Sequence, residues 1–179
     1  MGTEQAVVEQ PKQAEAMLPA VENKISLIVF SGELDKLLAS LIIATGSVAM
    51  GMQVRLFFTF WGTAALRDAR KSVKGKNLMS KMFGFMLPKG ASKVKLSKMN
   101  MGGMGTAMMK MLMKKKNVAT LEEMLTLAGQ MGVEICVCDM SMSLMGFKRE
   151  ELIDYPHMSV CGVATFLAEA KTSRVQLFI

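Results

Sequence analysis

The sequence predicts an α/β domain: a three-layer sandwich in which helices cover both faces of a largely parallel sheet. Three observations support this. Short apolar runs rich in β-branched residues alternate with longer helical patterns along the chain. A length of 179 residues fits one domain of ordinary size. Hydrophobic residues make up 51% of the chain, which provides for a substantial core and excludes a wholly disordered protein.

Residues 1–23 are rich in Glu, Gln and Ala, contain two prolines, and are expected to form a flexible leader before a domain at 24–179. They lack the basic start, apolar run and small-residue cleavage site of a secretory signal. Three cysteines, two of them nearly adjacent, are also too few for the disulfide framework of a small secreted protein.

The first predicted strand is Lys24–Phe30, followed by a helix that runs to about Met50 and carries Glu33 and Asp35 near its positive end. The 18 residues of Leu37–Val54 carry no formal charge and approach the length of a membrane span. Gly51, a residue type typical of helix C-caps, breaks this run. A core helix followed by a core strand at 53–60 explains the run better than a transmembrane helix.

The middle of the chain is predicted to be helical and irregular. Gly62 opens a second helical stretch, and Lys76–Leu87 has the pattern of an amphipathic helix rich in Met and Phe that ends before Pro88. A glycine-rich turn at 100–105 leads into a helix at Thr106–Lys115.

The C-terminal third begins with a capping box, in which Thr120 and Glu123 start a helix that continues to Met131. The remaining elements are a strand at Val133–Cys138, short helices through Asp154, a helix at Val160–Lys171 and a terminal strand at Arg174–Ile179.

Positive charge is concentrated in one segment. Ala64–Asn117 contains 14 basic residues and one acid, whereas the whole chain has a net charge of +7. Tyr, Trp and His occur once each, so the chain has little material for base stacking or His-based metal chemistry. Phe83 and Phe85, the aromatic residues of the segment, are spaced for packing in a helix. We therefore expect an anionic partner other than nucleic acid.

Methionine is in strong excess, with 20 residues, and thioethers are typical of pliable cores and subunit interfaces. The apolar helix Leu37–Met50 and the segment Lys76–Leu87 offer more apolar surface than one small domain easily covers. We therefore expect a homo-oligomer. We do not expect a membrane surface among its partners.

Cys138 is the strongest candidate for chemistry. It lies where the strand Val133–Cys138 gives way to a helix, at the edge of a parallel sheet where ligands bind. Backbone N–H groups at that helix end would favour the thiolate. The alternative is a buried structural cysteine, and spacing alone does not decide between the two.

Cys136 and Cys161 are candidate secondary thiols. Cys136 faces the same side of its strand as Cys138, and its apolar neighbours favour a structural role. Cys161 begins the predicted helix Val160–Lys171 and could act as a resolving thiol if the fold brings it close. A Cys-x-Cys pair lacks the spacing of zinc ligands, so we expect no metal.

Two loops are candidates for anion binding through backbone N–H groups. One contains Ser31 and Gly32 after the first strand, and the other contains Gly102, Gly103 and Gly105. Neither matches a P-loop or a dinucleotide-binding fingerprint, so ordinary loops remain the alternative and no cofactor is expected.

Four stretches in order resemble the DsrE/DsrF-like family, in its peroxiredoxin-like DsrE/F/O branch. They are FSGELDKLLASLIIATGSVAMGMQVRLFFTFWG (Phe30–Gly62), LSKMNMGGMG (Leu96–Gly105), CDMSMSLMGFKREELID (Cys138–Asp154) and CGVATFLAEA (Cys161–Ala170). The resemblance extends over about Lys24–Ile179. The sequence contains no peroxidatic Thr-x-x-Cys pattern, so the peroxiredoxin label is nominal.

The resemblance implies a compact α/β domain that oligomerises and takes part in cytoplasmic sulfur trafficking. It places the sulfur-carrying cysteine before the Met-Ser-Met…Met-Gly motif, at Cys138 here. Positions 136 and 161 are not reliably cysteine in the family, so no role transfers to them. Relatives work beside TusA-like carriers, rhodaneses and heterodisulfide-reductase-like complexes, which are the partners that the resemblance implies.

The leading hypothesis is a sulfur carrier of sulfurtransferase type, rather than a multi-turnover enzyme. Cys138 would hold sulfane sulfur as a persulfide, or thiosulfate sulfur as a thiosulfonate, and pass it to a partner thiol. One alternative is a non-catalytic oligomeric interaction subunit. Another is a redox protein that cycles a disulfide between Cys138 and Cys161.

Overall fold

A computed structural model describes residues 20–71, 73, 82 and 84–179. Most of the leader predicted at 1–23 lies outside these residues, and so does most of the helix predicted at Lys76–Leu87. Residues 20–23 are described, and the first strand begins at Glu22, slightly before the predicted start at Lys24.

Five parallel strands form the sheet, which confirms the predicted fold class. The spatial order is β4-β3-β2-β1-β5, so the chain starts near the middle and moves outward by crossovers. The strands are β1 (Glu22–Val29), β2 (Gln53–Phe58), β3 (Glu134–Cys138), β4 (Met158–Cys161) and β5 (Ser173–Phe178).

Five α-helices with described bounds and four short 3₁₀ segments connect the strands, and residues 84–86 are helical as well. The α-helices are α1 (Leu34–Ala49), α2 (Met104–Lys115), α3 (Leu121–Gln130), α4 (Asp139–Met145) and α5 (Val163–Ala170). The 3₁₀ segments are Phe60–Leu66, Ala91–Lys93, Met101–Gly103 and Arg149–Glu151. The capping box predicted for α3 is present: the Thr120 hydroxyl accepts from the Glu123 N–H, and the Glu123 carboxylate accepts from the Thr120 N–H.

The alternation of side chains along β2 and β3 divides the core into two unequal parts. Leu56 and Ile135 point into the larger part, which α1 and α3 cover. Phe57 points the other way, into a small cluster beneath α5, where its ring stacks on Phe166 with centroids 4.6 Å apart. Cys136, Cys138 and the half-buried Cys161 belong to this smaller cluster.

The helix predicted at Val160–Lys171 is wrong in its first part. Met158–Cys161 forms the edge strand β4, paired in parallel with β3, and the helix begins only at Val163. Cys161 therefore ends a strand instead of beginning a helix. A four-residue strand directly before a helical pattern leaves too little period-two alternation to be recognised from sequence.

The uncharged run Leu37–Val54 comprises most of α1, a turn at Gly51 and the start of β2. Leu37, Leu41 and Ala44 of α1 are buried against the sheet and α3. Among the described residues, none of the helices combines the length and apolar character that a bilayer crossing requires.

Candidate functional site

Cys138 ends β3 at the carboxyl edge of the sheet and occupies the N-cap position of α4. Its backbone is still extended, with φ −65° and ψ 116°, because the helix begins only at Asp139. Cys138 is a free cysteine whose residue is only 3% exposed. The sequence pattern predicted this location, between a buried strand and a helix start.

Two hydroxyl side chains lie beside Cys138. Ser141, in the first turn of α4, is fully buried, and its Oγ lies 2.8 Å from Oγ1 of Thr59, the residue after β2. The Phe60 N–H donates to the same Ser141 Oγ at 3.0 Å. Ser141 therefore ties the first turn of α4 to the end of the neighbouring strand and holds two hydroxyl groups close to the thiol.

These groups favour the thiolate of Cys138. Burial raises the pKa of the thiol, because the charged form loses hydration. Four interactions lower the pKa and together outweigh burial, so the pKa lies below its ordinary value. They come from the side chain and N–H of Ser141, the Thr59 hydroxyl and the Met140 N–H.

Cys136 and Cys161 form a disulfide with their Cα atoms 6.0 Å apart. The redox alternative raised from the sequence joined Cys161 to Cys138 instead. In the sheet register, Cys161 pairs with Cys138, while Cys136 pairs with Ser159. All three cysteines therefore lie on one face of two adjacent strands. Predicting this arrangement requires the strand register as well as the sequence.

Ser31 and Gly32 lie at the same edge of the sheet, beyond the end of β1, with β2 between them and Cys138. Lys36 donates to the Ser31 hydroxyl at 3.3 Å. A Cβ at Gly32 would lie 2.6 Å from the Trp61 carbonyl oxygen, so close backbone packing is enough to explain a glycine there. Anion binding at this loop stays a prediction.

The glycine-rich turn lies around the N-terminus of α2. Gly102 and Gly103 have positive φ values of 69° and 108°, and a Cβ at Gly105 would collide with the Met99 carbonyl oxygen. Within the described ranges, no hydrogen bond connects this turn to Cys138. The structure thus does not join the two predicted anion loops to the cysteine in one hydrogen-bonded site, and their role stays a prediction.

Sequence reasoning missed Thr59 and Ser141. Ser141 stands three residues after Cys138, where a first-turn side chain and N–H can face the N-cap residue, so the helix start could have indicated it. Thr59 carries no such signal, because its position beside Cys138 depends on the pairing of β2 with β3. The described residues contain no group of three or more His, Cys, Asp or Glu side chains placed to hold a metal ion.

We expect native Cys138 to react with small alkylating agents and to discriminate strongly against large ones. The lowered pKa supplies thiolate near neutral pH, whereas 3% exposure restricts access. Site-resolved labelling with iodoacetamide between pH 6 and 8 should modify Cys138 before Cys136 or Cys161, and a bulky aromatic disulfide reagent should react much more slowly. Preferential labelling of either other cysteine in native protein would contradict the assignment.

A profile of the DsrE/DsrF/DrsH-like family matches residues 21–178. The chain is 44% identical over 157 residues to the uncharacterized protein YrkE of Bacillus subtilis, covering 88% of this chain and 97% of that protein. It is 33% identical over 165 residues to the sulfur carrier protein DsrE2 of Allochromatium vinosum, covering 88% and 99% respectively. The crystal structure of the E. coli ychN protein has a TM-score of 0.53 at 14% identity, covers 87% of this chain and 98% of its own, and shows the same fold.

Proposed function

We propose that this chain, which belongs to the DsrE/DsrF/DrsH-like family, is a sulfur carrier that holds sulfane sulfur on Cys138 and passes it to a partner thiol. The observation that carries the proposal is a free thiol at the end of β3 whose surroundings favour the thiolate. The 33% identical relative named a sulfur carrier protein supports it. We place the protein in sulfur trafficking in the cytoplasm, as a carrier rather than a multi-turnover enzyme.

Loading follows from thiolate chemistry. The Cys138 sulfur attacks the outer sulfur of a polysulfide or persulfide donor, the donor's S–S bond breaks, and the donor leaves as a shorter sulfide or a thiolate. Cys138 then carries a persulfide anion. The N–H groups of Met140 and Ser141 and the hydroxyls of Ser141 and Thr59 lie where they can stabilise that anion, as they stabilise the thiolate.

Discharge reverses the same exchange. A partner thiolate attacks the outer sulfur, a new persulfide forms on the partner, and Cys138 leaves as thiolate. The groups that lower the pKa of Cys138 make it a good leaving group, because leaving thiols of lower pKa depart faster. Burial of Cys138 confines loading to small donors, or to partners that locally open the short helix α4.

We propose an acidic protein partner for the helix α2. Met104, Met108 and Met111 lie at helical spacing and are each more than 60% exposed. Lys114 and Lys115, both exposed, follow at the C-terminal end. A flexible apolar stripe next to a cationic end suits an apolar surface with an acidic rim. A TusA-like carrier, a rhodanese or a heterodisulfide-reductase-like complex is the kind of partner we propose.

We also propose that the protein forms a homo-oligomer. The sheet face that carries Cys138 is covered by α5, an eight-residue helix. Val163 and Leu167 on α5 are each 54% exposed, and Phe178 at the end of the edge strand β5 is 66% exposed. Apolar side chains left open on a partly covered face are typical of an interface.

A thiol–disulfide redox protein is the second candidate. The observation that favours it is the Cys136–Cys161 disulfide on the strands that also carry Cys138. Unlike the carrier, such a protein would exchange electrons with its substrates and would hold no additional sulfur atom.

Intact-mass measurement separates these candidates. We expect reduced, desalted protein that has been exposed to polysulfide to gain the mass of one sulfur atom, and cyanide to remove that atom as thiocyanate. Cys138→Ser should abolish the gain, whereas Cys136→Ser and Cys161→Ser, as matched controls, should keep it. Equal loading of Cys138→Ser and the parent protein would overturn the proposal.

A further inference from the structure

We propose that Cys161 is an exchange thiol shared by Cys136 and Cys138, and that moving its disulfide from Cys136 to Cys138 closes the carrier thiol. This inference rests on the proposed function, because it describes how the sulfur-accepting site would be switched. It gives roles to Cys136 and Cys161 that the family resemblance does not supply.

The register of the sheet places Cys161 within disulfide range of both thiols. Disulfides bridge Cα atoms roughly 4.4–6.8 Å apart. The Cys136–Cys161 pair spans 6.0 Å. Cys138 is the direct register partner of Cys161 on the neighbouring strand, and adjacent strands lie about 4.8 Å apart. Both pairings therefore fit the backbone without a change of register.

The three side chains also share one face. Residues two apart on a strand point to the same side, so Cys136 and Cys138 are presented together toward α5. Both are buried in the small cluster that contains Phe57 and Phe166, and the half-buried Cys161 packs against that cluster. The Cys161 sulfur thus faces the sulfurs of Cys136 and Cys138, the two residues that flank Val137 on β3.

The exchange is balanced without an external oxidant. The Cys138 thiolate attacks the Cys161 sulfur, the Cys161–Cys136 bond breaks, and a Cys138–Cys161 bond forms. Cys136 leaves as a thiolate and takes up the proton that Cys138 gave up. The number of disulfides is unchanged, and attack by the Cys136 thiolate on Cys161 reverses the step.

The surroundings of Cys136 and Cys138 explain which of them forms the disulfide with Cys161 at equilibrium. Donors around Cys138 stabilise it as a free thiolate, whereas Cys136 is fully buried in the small apolar cluster beneath α5. A thiol stabilised as its anion is the better leaving group, so the disulfide should settle on Cys136. The open form, with Cys138 free, is the form that the structure contains.

The consequence is a carrier with an open and a closed oxidised form. In the open form, the disulfide occupies Cys136 and Cys161, and Cys138 can accept sulfur. In the closed form, Cys138 is itself disulfide-bonded and cannot be loaded. A partner that opens α4 would disturb the donors around Cys138 and so shift the balance between the two forms.

Disulfide mapping of the full chain tests the exchange. Cys136 and Cys138 fall on one tryptic peptide, 117–148, and Cys161 falls on another, 150–171. Parent protein would therefore give the same linked peptides in either form, so the masses of the linked peptides alone do not assign the bond. We expect Cys136→Ser, reduced and then treated with diamide, to yield these two peptides linked through Cys138 and Cys161.

The control is Cys138→Ser, which should give the same linked peptides through Cys136 and Cys161. Parent protein would be quenched in acid, alkylated at its free thiol and fragmented between positions 136 and 138. The label should lie on Cys138 in most molecules and on Cys136 in a minority. Absence of the Cys138–Cys161 link in oxidised Cys136→Ser, with the Cys136–Cys161 link present in the control, would overturn the inference.

Sulfur loading distinguishes failure of this inference from failure of the proposed function. Reduced Cys136→Ser should accept one sulfur atom from polysulfide, and the oxidised, cross-linked form should accept none. If the reduced form loads but no cross-link forms, the exchange is wrong and the carrier proposal stands. If the cross-link forms but the reduced form does not load, the carrier proposal is wrong, and the disulfide chemistry supports the redox alternative.

Discussion

Replacing Arg67 by methionine is expected to lower the free energy of unfolding by about 3–5 kcal/mol, the usual cost of removing one partner of a buried ion pair. Arg67 is 4% exposed, lies 3.6 Å from the equally buried Glu151 carboxylate and donates to the Gly84 carbonyl oxygen at 3.1 Å. Its guanidinium also lies 4.6 Å from the centre of the Phe147 ring. Methionine keeps most of the volume and removes the charge from beside a buried carboxylate.

Urea denaturation followed by circular dichroism measures this effect. Arg174→Met is the matched control, because Arg174 is exposed on the edge strand β5, where surface substitutions usually change stability by about 0.5 kcal/mol or less. The double variant Arg67→Met/Glu151→Leu should regain much of the lost stability, since both charges of the buried pair are then removed. Equal stabilities of Arg67→Met and Arg174→Met would show that the buried pair does not hold this region together.

Replacing Ser141 by alanine is expected to slow alkylation of Cys138 at neutral pH to roughly a tenth, because a hydrogen bond to a charged group is worth about 1.5–3 kcal/mol. Losing the Ser141 hydroxyl removes one of the groups that lower the pKa of Cys138, while the burial that raises it remains. The pH profile of alkylation should therefore move to higher pH. Stability should also fall by roughly 1–3 kcal/mol, because the Phe60 N–H loses its acceptor.

Ser143→Ala is the control for this variant, since Ser143 lies on the same helix but is exposed. Its alkylation profile should match that of the parent protein. The measurement is the iodoacetamide rate at Cys138 across pH 6–10, with circular dichroism to verify that each variant is folded. A Ser141→Ala profile that overlays the parent would contradict the account of how the thiolate is stabilised.

Most of the fold could be predicted because its elements have strong local patterns. The strand that ends at Cys138 is apolar and buried from Ile135 onward, and the Thr120 capping box defines the start of α3 by side-chain chemistry alone. The strand β4 escaped prediction because its four residues form a strand only through pairing with β3. Its partner, and not its own sequence, determines its conformation.

The candidate site could be predicted only where it depends on local sequence patterns. Cys138 was assigned from its position at a strand end, and its shared face with Cys136 follows from strand periodicity. The neighbours contributed by other strands, Thr59 from the end of β2 and Cys161 from β4, depend on strand order and register. A single sequence does not contain that information. The disulfide of Cys136 with Cys161 could not be predicted for the same reason.

The transfer of a sulfur atom from Cys138 to a protein thiol is the most direct test of the carrier proposal. Protein loaded with ³⁴S-labelled polysulfide and desalted would be mixed with a reduced TusA-like carrier, and both intact masses would be followed over time. We expect the partner to gain one labelled sulfur for each atom that this protein loses, and Cys138→Ser to deliver none. Release of the label only as sulfide, with the partner's mass unchanged, would contradict the proposal.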